Sequence, residues 1–159
     1  MHEQSTPTSA SRISLTTYIR WRTGLPLGAK GSLSAMLKRA FGANSLAGFW
    51  RYWNPIFGYG LARYIEAPLR RIGPRWLAIM LTFIICGAIH DAVTMLVRGS
   101  GASLFTLWFG IISLGIVVSE QIKFNFNNLN WRWRAVWHLI YLGLCLLFTL
   151  TIQAVFGLP

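Results

Sequence analysis

A histidine in the second half of a long apolar run is the residue best placed to do chemistry in this sequence. His90 stands next to Asp91 inside Trp76–Val97, a stretch with no other charged residue. A polar ring there is costly against lipid, so it is expected to face a protein interior or a wet cavity. A neutral imidazole can take a proton from an alcohol, which makes His90 a candidate general base. The alternative is a hydrogen bond between helices, worth only about 0.6 kcal/mol on average in membranes. Asp91 lies about 100° round a helix from His90, so the two are not expected to act as a dyad. Arg98 returns to nearly the same face as Asp91 and could snorkel back to it; a partner chain is the other pairing considered. His138, beside Trp137, reads as a structural or headgroup-contacting residue. Glu66 and Glu120 stand alone, and Cys86 and Cys145 read as small buried apolar residues. No phosphate loop, nucleophilic triad or metal-ligand spacing is present in the sequence.

The elements that must position these residues follow from composition. Of 159 residues, 54% are hydrophobic and only 12% charged, about half the charged share of a soluble domain. The sequence therefore predicts an all-α integral membrane protein. Three runs, 76–97, 102–118 and 135–156, match the roughly 20 residues that a helical span takes. Lys and Arg outnumber Asp and Glu by 15 to 4, for a net charge of +11. On so apolar a chain this excess points to a membrane surface and not to nucleic acid. Arg63, Arg70, Arg71 and Arg75 precede the first run, and Lys123, Arg132 and Arg134 lie between the second and third. The positive-inside rule then puts the N-terminus in the cytoplasm and the C-terminus outside. Residues 1–30 read as a partly flexible tail without a signal peptide, and 31–75 as an amphipathic and aromatic interfacial region. Within it Leu33, Met36, Leu37, Ala40 and Phe41 recur at helical spacing, with Lys38 and Arg39 off that stripe. Ala88 and Ala92 offer one small-residue contact for packing against a larger membrane complex.

The densest aromatic stretch runs from Ser45 to Arg71. Trp50, Trp53, Phe57, Leu61 and Tyr64 follow steps of three or four, predicting a helix with an aromatic face. Asn54 before Pro55 fits a helix start running to Ile65, because Asn caps well and Pro suits the first helical position. Phe49-Trp50-Arg51-Tyr52-Trp53-Asn54, followed by Arg63, Tyr64 and Pro68-Leu69, resembles the signature of the membrane-bound O-acyltransferases. In that family a Phe-Trp-x-x-Trp-Asn or -His stretch precedes an apolar helix carrying a His. Here the His sits in Gly87-Ala88-Ile89-His90, 36 positions after Asn54.

The resemblance implies transfer of an acyl group from a thioester such as acyl-CoA to a hydroxyl presented in the membrane, with His90 and Asn54 as the catalytic pair. Trp50, Trp53 and Arg51 become the substrate-binding candidates. Asn54 could donate to the developing oxyanion or orient the His ring. No cofactor or metal is implied beyond the acyl thioester as substrate. Members of the family are polytopic and enclose a tunnel. Because this sequence starts only a few dozen residues before the signature, the expectation is that the chain completes its site with a second copy or a larger membrane subunit. The alternatives are an inactive accessory or assembly subunit and, further off, a proton path through His90 and Asp91.

Overall fold

The computed structural model describes residues 13–99 and 103–158, whose regular elements are all helices, with no strand among them. The sequence-predicted tail up to residue 12 and the turn residues 100–102 lie outside the described residues. The helices are α1 (Leu15–Thr23), α2 (Ser32–Phe41), α3 (Leu46–Tyr52), α4 (Pro55–Leu61), a π-helical turn (Ala62–Glu66), α5 (Ala67–Ile72), α6 (Arg75–Arg98), α7 (Leu104–Gln121) and α8 (Trp131–Phe156). Helices α6, α7 and α8 are long and apolar enough to cross a membrane. They coincide with the three runs read from the sequence, with shifted ends. Asn130 caps α8 by accepting the Trp133 N–H at 3.1 Å, so the helix starts in the Trp-Arg-rich stretch that reads as a connection.

Helices α6 and α7 form the tightest pair. At the beginning of α6, Arg75 meets Glu120 at the end of α7 at 2.8 Å, which fixes them as antiparallel neighbours. Ile112, Ser113 and Ile116 are fully buried at their core. At Gly87 the backbones approach so closely that a Cβ would collide with the Phe105 carbonyl and the Thr106 backbone. Lipid supplies no hydrophobic drive between helices, so small residues that allow such an approach carry the contact. Ala88 and Ala92, read from the sequence as a small-residue contact toward a partner complex, are exposed, and Gly87, one position away on the buried face, makes the contact between α6 and α7. Replacing Gly87 with valine is expected to lower the unfolding midpoint in detergent by the equivalent of about 1–3 kcal/mol of overpacking. Valine at the exposed Ala88 should leave that midpoint where it is.

The aromatic segment doubles back along α6. Phe57, in the first turn of α4, touches the ring of His90. His90 lies fifteen residues after Arg75, about 22 Å along the helix axis, yet α5 ends at Ile72, just before α6 begins. The run 55–72, about 27 Å long as a helix, must therefore travel antiparallel beside α6. It continues beyond the Ile65 end read from the sequence by widening into the π turn, where the Ala67 N–H reaches back five residues to the Ala62 carbonyl. Pro68 supplies the cause: it has no N–H, and its ring displaces the carbonyl four residues earlier.

Helices α1 to α3 pack against this run and against the start of α8. Helix α1 falls within the part read as a tail; Ser14 caps it, and Arg39 donates to the Trp21 and Arg22 carbonyls at its end. Tyr18 packs on Tyr59 of α4 at 5.4 Å. The connection before α8 is pinned to residues 42–44: the Phe126 N–H donates to the Asn44 carbonyl, and the Arg134 guanidinium donates to the carbonyls of Phe126, Leu129, Asn127 and Gly42.

Candidate active site

His90 is half-buried on α6, and its Nδ1 lies 2.8 Å from the Cys86 carbonyl one turn earlier. A carbonyl only accepts, so Nδ1 carries the hydrogen and donates it. The lone pair then resides on Nε2, the nitrogen free to act as a base. Three phenylalanines surround the ring: Phe57 edge-on at 5.7 Å, Phe105 at 5.4 Å and Phe109 at 5.4 Å between centroids. Phe57 comes from α4 and the other two from α7, so the walls depend on both neighbours of α6. Ile89 and Val93, which lie to one side of His90 on α6, are exposed, so the helix is uncovered on that flank.

Asp91 points elsewhere, 4% exposed, toward the start of α7. Its carboxylate accepts from the Phe105 N–H at 2.9 Å, the Thr106 N–H at 2.8 Å and the Thr106 hydroxyl at 2.6 Å. The pairing with Arg98 expected from the sequence is not formed. A helix N-terminus offers unsatisfied N–H donors and a partial positive charge, and in an apolar setting it out-competes a long side chain at the helix end. Asp91 thus fixes the turn that carries Phe105, one of the walls of His90.

The signature residues take three separate positions. Trp50 packs against Phe83 and Phe109, one ring removed from His90. Trp53 stacks on Phe49 at 5.4 Å and meets Phe41 edge-on, and it makes no ring contact with His90. Arg51 is exposed and has no hydrogen bond or ion pair among the described residues. Asn54 adopts the left-handed conformation, with φ 40°. Its Oδ1 accepts the Phe57 N–H at 3.3 Å, and its own N–H meets the Met36 sulfur at 3.3 Å. The helix-start reading of Asn54-Pro55 is thus realised, and the side chain has no hydrogen bond to His90. Asn54 bears on His90 through Phe57, whose position its cap sets.

Two substitutions separate the parts of that arrangement. Asn54→Gly keeps the left-handed backbone and loses the cap, at a cost of a few tenths of a kcal/mol. Asn54→Ala loses both, adding about 1–2 kcal/mol of backbone strain. Unfolding midpoints are expected to fall in that order, with alanine worse than glycine.

His138 is a structural residue: at 1% exposure its Nε2 donates to the Ala43 carbonyl at 3.1 Å, and its ring lies between Phe49 and Phe126. That burial rules out the headgroup role considered from the sequence. The residues the sequence reading missed are the walls. Phe57 was visible as a member of the aromatic stripe three positions after Asn54, whereas Phe105 and Phe109 sit in a uniformly apolar run where nothing singles them out.

Three apolar spans, with a histidine base candidate in the first and an aromatic segment folded back onto it, mark an integral membrane protein with a candidate site on its first span. Residues 33–111 match the sequence model of the membrane bound O-acyl transferase family, and this span of the chain is similar to that family. The matched region runs from α2 into α7 and holds Asn54, His90 and all three ring walls. No curated protein and no solved structure matches the chain.

Proposed function

We propose that the protein transfers an acyl group from a thioester donor to a hydroxyl acceptor, with His90 as general base. The observation that carries this reading is the 2.8 Å contact of His90 Nδ1 with the Cys86 carbonyl, from which Nε2 is assigned as the acceptor of a ring walled by three phenylalanines. Nε2 takes the proton of the acceptor hydroxyl as its oxygen attacks the thioester carbonyl. The tetrahedral intermediate then collapses, the C–S bond breaks, and the departing thiolate receives the proton from the imidazolium. Base catalysis of this kind contributes about 10²- to 10⁴-fold. Asn54 acts as a positioning residue, and Trp50, Trp53 and Arg51 are the proposed substrate-contacting residues of the signature.

The exposed Ile89 and Val93 beside His90 support a site whose uncovered flank is closed by a second copy or a larger membrane subunit. The same surface supports the second reading, an accessory subunit without turnover. The distribution of Lys and Arg supports a cytoplasmic N-terminus and an external C-terminus.

The test is to solubilise the protein with its associated chains in mild detergent and supply radiolabelled acyl-CoA. Label is expected in a product that resists neutral hydroxylamine, as an oxygen ester does and a thioester does not. A stable stoichiometric partner with no such product would overturn catalysis in favour of the accessory reading.

A further inference from the structure

Away from His90, α2 and the first turn of α8 enclose a groove of about 560 Å³ lined by Leu33, Ser34, Leu37, Lys38, Phe41 and Trp131. Leu33, Leu37 and Phe41 recur every fourth residue and so form one continuous stripe along α2. Phe41 is held from behind by Phe49 and Trp53. Trp131 is held in place as the opposite wall, because its Nε1 donates to the Lys38 carbonyl at 2.9 Å and its ring lies against Gly42, where any side chain would collide with it. The walls are almost wholly apolar apart from Ser34 and the exposed Lys38, and the exposed Arg132 follows Trp131 in the sequence.

The charge of Lys38 and Arg132 is uncompensated among the described residues. Among the described residues there are three carboxylates, and each is engaged elsewhere: Glu66 with Arg70, Glu120 with Arg75, and Asp91 with the start of α7. Neither Lys38 nor Arg132 has an ion-pair partner among them. An occupant must therefore combine an extended apolar chain with an anionic group at its end. A tryptophan fixed at the boundary between the two suits a headgroup level, where amphipathic rings are favoured.

We propose that this groove binds an anionic glycerophospholipid, with one acyl chain along Leu33, Leu37 and Phe41 and the phosphate at Lys38 and Arg132. The site stands apart from the His90 chemistry and holds whether or not His90 catalyses. Each Lys or Arg near an anionic headgroup contributes about 1 kcal/mol, or about fivefold in binding.

The experiment places the full chain in phosphatidylcholine nanodiscs containing phosphatidylglycerol with brominated acyl chains, and reads the Trp131 emission as the difference between wild type and Trp131→Phe. With two cations at about fivefold each, half-maximal quenching is expected at a mole fraction about 25-fold lower for brominated phosphatidylglycerol than for brominated phosphatidylcholine, and Lys38→Glu, which leaves one charge of each sign, should abolish that preference. Leu37→Phe, which narrows the groove, keeps the charge and adds no tryptophan to the readout, should remove the selective quenching while circular dichroism remains unchanged. Equal quenching by the two lipids, a preference that survives Lys38→Glu, or equal selective quenching by brominated palmitic acid would each overturn the assignment.

Discussion

Replacing Asp91 with alanine is expected to lower the unfolding midpoint of the detergent-solubilised protein further than any other change of a polar residue on α6. Asp91 satisfies three donors at once: two backbone N–H groups in the first turn of α7 and the Thr106 hydroxyl. A helix begins with N–H groups that have no partner of their own, and in a water-poor interior nothing else takes them up. Each buried donor left without an acceptor costs about 1–3 kcal/mol, so the loss amounts to several kcal/mol. Removal of the carboxylate also discards its attraction to the positive end of α7, up to about 2 kcal/mol in partly buried geometry. Asn at this position keeps one acceptor but turns an amide group toward donors, which predicts an intermediate midpoint. Hydrogen exchange localises the effect: the Phe105 and Thr106 amides should exchange faster in Asp91→Ala, while those at the α6 end that pairs Arg75 with Glu120 should not. A variant that melts with the wild type would remove Asp91 from the structural account.

The second large effect is on rate. His90→Gln should reduce thioester-dependent ester formation by about 10²- to 10⁴-fold, the contribution of a positioned base. The fold should tolerate the change, because the glutamine amide can still donate to the Cys86 carbonyl and the three phenylalanine walls come from other positions. Stability and activity therefore separate at neighbouring residues: Asp91→Ala acts first on the fold, and His90→Gln on turnover alone. The two side chains follow one another in sequence yet serve different partners because successive residues point about 100° apart on a helix.

The spans and His90 were legible in the sequence for a simple reason. Composition alone marks a run of apolar residues as membrane-compatible, and a polar residue within it stands out. The limits of the spans were less legible. Helix α7 continues to Gln121 through Ser119 and Glu120, which read as a connection, because Glu120 has Arg75 across from it. Helix α1 carries a polar sequence with no apolar period and is held by contacts with Arg39 and Tyr59. The partner of Asp91 was out of reach because backbone N–H groups leave no sequence signature. Phe105 and Phe109 come beside His90 only because Gly87 lets α6 and α7 approach. Asn54 presented two readings, cap and catalytic donor. Its left-handed backbone and its bond to the Phe57 N–H realise the first, and no hydrogen bond joins it to His90.

The central claim is that the Nε2 of His90 removes the acceptor proton. Its most direct measurement is the initial rate of hydroxylamine-resistant ester formation from labelled acyl-CoA, comparing wild-type and His90→Gln protein at equal amounts, in the same membranes, with unfolding midpoints recorded in parallel. The account predicts a rate lower by about 10²-fold or more at an unchanged midpoint. Wild-type ester formation that persists undiminished in His90→Gln would contradict it.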